Sequence, residues 1–511
     1  MLTLKHITIK TNKDRILIED LDLTLIKGDR LAIIGEEGNG KSTLCKQIVD
    51  PTLIDPSFSI EGKVEKDHVR IGYLPQILDQ QDLNGSVARF LLGTSNDHPD
   101  YENQADVKQW LSKLHVSLPQ ECWEDALSRF SGGERIKIQI AKLMASQPDL
   151  LVLDEPTNDL DLSTLRWLEN FILSTPQPIL FVSHDEMLLR HCANRILHLE
   201  QTLRKTVPLW TLESLSYGDY LEKRQTSLTR QTVLSNKQKA DYDKQMEHWR
   251  QIYQKVEYAQ DTISRGDPAG ARLLKKKIKN LKAVRDRLDS VEKIKKPDPE
   301  EAISLFFDPR EKVYAQKCLL KDHLDQLTIG DRILSKNLDL EIYGQDRLAL
   351  VGDNGSGKTT YLSHLIGSAQ HKGTKVGVMP QNYDWVLDGE LSPIQVLTKE
   401  RTKEEKTLIM TYLGNLKFTQ EEMKQPISAC SQGQKAKIIL TSLVMSPSEL
   451  LIQDEPTRNL SPLTLPVIEA MLKQYHGASL AVTNDRRFLK NVFDRVYEFK
   501  DDGLTILEDF D

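Results

Sequence analysis

Apolar and polar residues alternate along residues 1–34, the period of paired strands, and the stretch ends in a continuous apolar run, Leu31-Ala-Ile-Ile34, of buried-strand length. Thr43 to Val49 has helical character and stops before Pro51. Residues 69–74 read as another strand, and residues 86–130 look helical, with Trp110, Leu111, Leu114 and Leu118 at helical spacing. Leu150–Leu153 and Pro178–Val182 are short buried strands, and Leu162–Leu173 between them has helical periodicity. Residues 314–511 run through the same order again. Strands alternating with helices predict an α/β fold, with mainly parallel sheets covered on both faces, built twice.

The stretch between the halves follows another pattern. From Tyr217 to Pro297 it is rich in Lys, Gln, Glu and Arg and poor in apolar runs, as in a solvated helix. Gly266-Asp-Pro-Ala-Gly270 breaks it, which predicts an α-helical hairpin. The first helix, over Tyr220–Ser264, would reach roughly 65 Å. Thr226, Thr229, Thr232, Val233 and Ser235 are weak helix formers, so a break early in that helix is expected. The second helix runs from Ala271 to about Ile294, with Leu273, Leu274, Ile278, Leu281, Val284, Leu288 and Val291 on a narrow coiled-coil-like seam. The expected domains are therefore 1–212, a linker over 213–303, and 304–511.

Composition and charge refine this picture. A chain of 511 residues, 39% hydrophobic, is too long for one core but well able to build two or three. No apolar run approaches the length that crosses a bilayer, and the N-terminus reads as a strand instead of a signal peptide, so a cytoplasmic protein without a membrane domain is expected. Five scattered cysteines support neither a disulfide framework nor a zinc site. The net charge of −7 hides an asymmetry: residues 217–299 hold 20 Lys/Arg against 12 Asp/Glu, about +8 in an otherwise acidic chain.

The candidate chemistry is duplicated too. Gly35, Gly38 and Gly40 lead into Lys41, Ser42 and Thr43; Gly352, Gly355 and Gly357 lead into Lys358, Thr359 and Thr360, 317 residues later. Gly-x-x-x-x-Gly-Lys-Ser/Thr between a strand and a helix wraps phosphates with backbone N–H groups. Lys41 and Lys358 reach the terminal phosphates, while Ser42 and Thr359 are set to bind Mg²⁺. Asp154 and Asp454 end apolar strands and bring a carboxylate to the metal; Glu155 and Glu455, next in line, can polarise the attacking water. His184 follows the next strand, where an imidazole can contact the terminal phosphate, and Gln76 and Gln381 end strands near the metal or the water. ATP and Mg²⁺ are the implied cofactors.

Ser131-Gly-Gly-Glu134, repeated as Ser431-Gln-Gly-Gln434, each opening a helix, resembles the signature of the ATP-binding cassette family. That resemblance implies a monomer with an intramolecular cassette pair, each signature closing over nucleotide held by the other cassette. Ser131, Gly132 and Gly133 would then serve the Lys358 site, and Ser431 and Gly433 the Lys41 site. Two fused cassettes, a basic helical linker entered by Ser216-Tyr-Gly-Asp-Tyr, and no membrane domain resemble subfamily F in particular. Members of that subfamily bind the ribosome at the tRNA exit site, so the resemblance implies contact with rRNA and peptidyl-tRNA, a linker directed toward the peptidyl-transferase centre, and protection against large-subunit antibiotics. Residues 271–296 carry 11 Lys/Arg against 3 acids, which makes Arg272, Lys275, Lys276, Lys277 and Lys279, with Arg265 near the turn, the RNA-contact candidates.

Within the repeat, Gly132 is matched by Gln432, Glu134 by Gln434, His184 by Asn484 and Asp161 by Ser461. Two bound ATPs with unequal hydrolysis rates are expected. No clear aromatic residue stands where the family stacks adenine. The alternatives are the ATP-hydrolysing subunit of a membrane transporter, for which so long a basic linker is unexpected, and a chromosome or repair ATPase, whose coiled coils are far longer.

Overall fold

The computed structural model describes the chain apart from residues 1, 13, 67, 96–97, 100–103, 159, 203–206, 263–267, 291–312, 331, 399–401, 459, 461, 463 and 508–511. Two compact units emerge, one formed by residues 1–217 with 300–511 and the other by residues 218–299.

In the first unit, alternation at the N-terminus makes β1 (Leu2–Thr11) and β2 (Ile16–Leu25) an antiparallel pair, with β4 (Phe58–Glu65) on the other side of β1. The apolar run becomes β3 (Arg30–Gly35), followed by α1 (Lys41–Val49). Beyond them come β5 (Ile71–Leu74), α2 (Gly132–Ala145), β6 (Leu150–Asp154), α3 (Leu162–Ser174), β7 (Ile179–Val182), α4 (Glu186–Cys192), β8 (Arg195–Gln201) and β9 (Val207–Glu213). The sheet order is β9-β8-β3-β7-β6-β5, parallel except at the β9 edge. Strands β6 and β7 are buried at every position, which explains their unbroken apolar runs.

Residues 86–130 are less helical than the spacing suggests. A helix over Val87–Leu92 ends where Gly93 takes φ 72°, a second covers Gln104–Lys113, and short 3-10 turns complete the segment. Leu111 and Leu114 are buried, so the apolar spacing reports packing more than one continuous helix.

After two intervening helices, α5 (Tyr217–Thr262) and α6 (Pro268–Asp289), the second half repeats the layout with β10 (Cys318–Ile329), β11 (Arg332–Tyr343), β12 (Arg347–Val351), α7 (Lys358–His371) and β13 (Val376–Met379). There follow α8 (Gln432–Met445), β14 (Leu450–Asp454), α9 (Leu465–Gln474), β15 (Ala478–Val482), α10 (Arg486–Val492), β16 (Arg495–Lys500) and β17 (Gly503–Ile506). Its sheet order, β13-β14-β15-β12-β16-β17, matches that of the first half strand for strand. In both sheets the strand before the glycine loop is central, so its C-terminal end opens where nucleotide sites of parallel sheets lie.

The other unit is a helical hairpin of α5 (Tyr217–Thr262) and α6 (Pro268–Asp289). The expected early break in α5 does not occur. The hydroxyls of Thr226, Thr229 and Thr232 donate to the carbonyls of Glu222, Gln225 and Leu228, so these residues close bonds within the helix instead of competing with it. Trp249 Nε1 donates to Leu281 O at 2.8 Å, the Arg285 guanidinium lies 5.5 Å over the Trp249 ring, and Tyr242 donates to Asp289 at 2.6 Å. An aromatic-to-backbone zipper thus supplements the aliphatic seam, in which Leu274, Ile278, Leu281 and Leu288 are half-buried, whereas Leu273 and Val284, expected in the seam, are exposed and Val291 lies outside the described residues. The five cysteines are free thiols.

Candidate functional site

Each glycine loop departs from the C-terminal end of its central strand and turns directly into a helix. Lys41 Nζ donates to Gly35 O (2.9 Å) and Glu36 O (3.1 Å), and Lys358 Nζ to Gly352 O (2.8 Å) and Asp353 O (2.7 Å). Both ammonium groups are buried and held by neutral peptide oxygens, a weak set of partners that a phosphate can replace. Burial lowers both lysine pKa values, partly offset by nearby carboxylates. Thr43 and Thr360 occupy the first turn of α1 and α7.

The hydroxyl and carboxylate singled out in each repeat come together. Ser42 donates to Asp154 at 3.0 Å, and Thr359 to Asp454 at 2.7 Å. The second oxygen of each aspartate, Asp154 Oδ2 and Asp454 Oδ1, is buried without a hydrogen-bond partner. A buried orphaned carboxylate oxygen beside a hydroxyl suits a hard, oxygen-seeking cation such as Mg²⁺. Burial raises the Asp154 carboxyl to about 6 and raises Asp454 as well, and a cation would reverse both shifts.

Glu155 and Glu455 both adopt φ 52°, the left-handed region that non-glycine residues avoid. Their N–H groups donate to Val182 O (3.0 Å) and Val482 O (2.8 Å), which fixes this strained geometry to the neighbouring strand. His184 Nε2 lies 2.9 Å from Glu155 Oε1. Burial pushes the Glu155 carboxyl up, but His184 and Lys41 outweigh it and leave the pKa below the usual range. Asn484, at the matching position, points elsewhere: its amide donates to Leu160 O of the first cassette at 2.9 Å. The Lys41 site therefore has a carboxylate–imidazole pair, and the matching position of the second cassette carries an amide that turns to the first cassette.

The halves meet. A cavity of about 530 Å³ is lined by Lys358, Thr359, Thr360, Gln381, Asp454 and Glu455 of the second cassette, and by Gly132, Arg135, Asn158 and Leu160 of the first. The helix that follows Ser131 thus opens toward the Lys358 loop. At the other junction Gly433 N–H donates to Glu37 at 2.7 Å and the Ser431 hydroxyl to Glu37 at 3.0 Å, which brings the second signature to the Lys41 loop. Gly133 is needed because a Cβ there would lie 2.4 Å from Thr164 Oγ1. Gln76 and Gln381 are both exposed just past β5 and β13, and Gln381 lines the cavity. Ser461 and Arg265 lie outside the described residues.

Several functional positions escaped the sequence reading. Ile329, Arg332 and Leu334 line the cavity on the side of the β10–β11 turn, a shelf without an aromatic ring. Arg486 and Arg487 replace Glu186 and Met187 of the first cassette and cross to it: Arg486 pairs with Glu169, and Arg487 with Glu186 and with its own Glu469 (2.9 Å). The doubled arginine was the visible signal, but only opposing carboxylates give it meaning.

Asp185 and Asp485 cap α4 and α10 through Leu188 N–H and Phe488 N–H. Burial, with Asp185 opposite, raises the Asp485 carboxyl to about 7. A raised carboxyl favours folding most when both states are protonated, below the ordinary value near 4, and this contribution is lost as pH rises to about 7. Asp485→Asn keeps the cap and removes the titration. Its melting temperature should exceed that of the parent most at pH 7–8 and converge with it toward pH 4; a pH-independent difference would contradict this origin.

A protein-family model described as "ABC transporter" matches residues 18–158 and 335–458. The ATP-binding protein Uup of Buchnera aphidicola is 29% identical over 503 residues, covering 96% of this chain and 78% of that protein. The human ATP-binding cassette sub-family F member 3 is 24% identical over 537 residues, covering 97% and 71%. Among solved structures, an RNase-L inhibitor superposes with a TM-score of 0.59 at 14% identity over 98% of this chain and 90% of that one, and an archaeal ribosome recycling factor in complex with a ribosomal stalk protein superposes with a TM-score of 0.58. These structural likenesses concern the fold.

Proposed function

Because the chain belongs to the ATP-binding cassette family, in its F subfamily, and is an ATP-hydrolysing ATPase, we propose that ATP closes its two cassettes on each other and that the closed form binds the ribosome. The observation that carries this reading is the cavity built jointly from the Lys358 loop and the Ser131 signature helix. Neither cassette alone encloses that space, so a triphosphate seated on the loop draws the opposed helix N-terminus toward its negative charge. The glycine-loop amides, Lys41 and Lys358 would hold the phosphates; Ser42 with Asp154, and Thr359 with Asp454, would hold Mg²⁺. Bound Mg²⁺ supplies charge neutralisation on the phosphates. Glu155 and Glu455 would act as general bases, with His184 orienting the first.

The ribosome reading rests on the hairpin. Arg272, Lys275, Lys276, Lys277 and Lys279 are all exposed on α6, and a row of solvated cations on a rod suits a phosphate backbone. In finer detail, the protein would engage the tRNA exit site, direct the hairpin toward the peptidyl-transferase centre beside peptidyl-tRNA, and protect the ribosome against large-subunit antibiotics. A cytoplasmic location accords with this, and no helix among the described residues is long and apolar enough to cross a membrane.

The test is co-sedimentation of Glu155→Gln/Glu455→Gln protein with ribosomes in ATP. Binding that requires ATP is expected. Alanine at the five basic positions should weaken it about tenfold or more and flatten its salt dependence. Absence of ribosome binding, or recovery with membranes alone, would defeat the reading; resistance assays with large-subunit drugs test the finer part.

A further inference from the structure

The two signature helices differ in where they find a negative charge. In the first, Glu134 lies within the helix, and Ser131 donates to it twice, from N–H (2.9 Å) and from its hydroxyl (2.8 Å). In the second, Gln434 is neutral and takes only the Ser431 N–H (2.9 Å). The Ser431 hydroxyl and the Gly433 N–H turn instead to Glu37, a carboxylate from the opposite cassette. In the second glycine loop the residue matching Glu37 is Asn354. An acid present in one helix and missing from the other has thus reappeared on the loop that faces the latter.

The fit around Glu37 is close. A Cβ on Gly433 would lie 1.9 Å from its carboxylate, so this glycine makes room for the contact. Beside it, Glu36 pairs with Lys417 of the second cassette at 2.5 Å, a second tie from the same loop. The donors that Glu37 uses sit at the N-terminus of the 14-residue helix α8, which favours an anion. In a composite site those same donors would receive the terminal phosphate of ATP held by Lys41, and two anions cannot share them.

We propose that Glu37 occupies the terminal-phosphate seat of the Lys41 half-site until ATP displaces it, making this the weaker-binding half-site. The inference rests on the composite-site reading above and adds a residue that sets affinity at one site. Glu37 acts as a competitor from within the loop: it satisfies the signature helix when nucleotide is absent and must swing away before the site closes on ATP. At the Lys358 site the loop position that matches Glu37 is Asn354, and the facing signature contains its own Glu134.

Binding of Mg·ATP to full-length Glu155→Gln/Glu455→Gln protein, measured by calorimetry, tests this. Two classes of site are expected, the weaker one abolished by Lys41→Ala. Adding Glu37→Asn, the residue of the second loop, should tighten the weaker class about tenfold, roughly the effect of one charge-assisted hydrogen bond, and leave the stronger class unchanged. Glu37→Gln keeps the shape without the charge and should fall between; it also serves if the asparagine variant folds poorly. Unchanged or weakened binding at the Lys41 site in both variants overturns the proposal, because a purely structural Glu37 cannot yield tighter binding when removed. If Lys41→Ala removes no site, the composite-site reading falls first and this inference with it.

Discussion

Glu155→Gln is expected to remove most ATP turnover at saturating nucleotide, by about a hundredfold at its own site, while Glu455→Gln causes only a minor loss. The difference follows from the imidazole. His184 Nε2 sits 2.9 Å from Glu155, whereas Asn484 spends its amide on Leu160 O and leaves Glu455 without a ring nitrogen from that position. The imidazole holds the Glu155 carboxylate in one orientation, which places it to accept a proton from water. Both variants retain the loop lysines, so nucleotide binding should survive. Single-turnover assays on each variant decide the matter: equal losses, or the larger loss in Glu455→Gln, would refute the assignment. With Glu37 lowering affinity at the Lys41 site, the molecule would pair a weak, fast site with a tight, slow one.

Arg486→Ala should destabilise the paired cassettes by about 3–5 kcal/mol, the cost of breaking a buried ion pair from one side. Arg486 is buried, pairs with Glu169 of the other cassette and lies 3.8 Å from Asp185. Its removal leaves Glu169 facing only His191, at 3.0 Å, and leaves Asp185 near Asp485 without the intervening cation. Thermal unfolding should show a lower midpoint for the variant. Adding Glu169→Gln should recover part of the loss, because the orphaned charge is then gone. If the two changes prove simply additive, the pair does not couple the cassettes. Loss of Arg487 should be milder, since this residue is more exposed and its partner Glu186 also pairs with Arg190 at 2.7 Å.

Much of the fold was legible because its physical causes are local. Four-residue apolar runs such as Ile179–Val182 are buried on both faces, and sequence periodicity registers that directly. The glycine loops were legible because phosphate wrapping needs backbone conformations that glycine permits: Gly38 and Gly40 take φ 74° and 87°, Gly355 and Gly357 take 79° and 111°. Helix α5 was misjudged where propensity ignored the threonine hydroxyl, which finds the carbonyl one turn back. Residues 86–130 were misjudged because buried leucines at helical spacing also fit short helices broken by Gly93.

Order along the chain alone was enough to give two cassettes, the place of each glycine loop with its strand-end aspartate and glutamate, and a basic helical hairpin between the halves. These features depend on neighbours within a few residues or on a repeated motif, so order along the chain is enough to reveal them. Only the tertiary structure decided how the halves differ as partners. Asn484 turns to Leu160, Arg486 crosses to Glu169, and Glu37 settles on the helix opened by Ser431, at separations of 324, 317 and 394 residues. A charge has no local signature that names its distant counterpart. It acquires a role only when folding brings an opposite charge or an unpaired N–H within reach and excludes the water that would otherwise satisfy both.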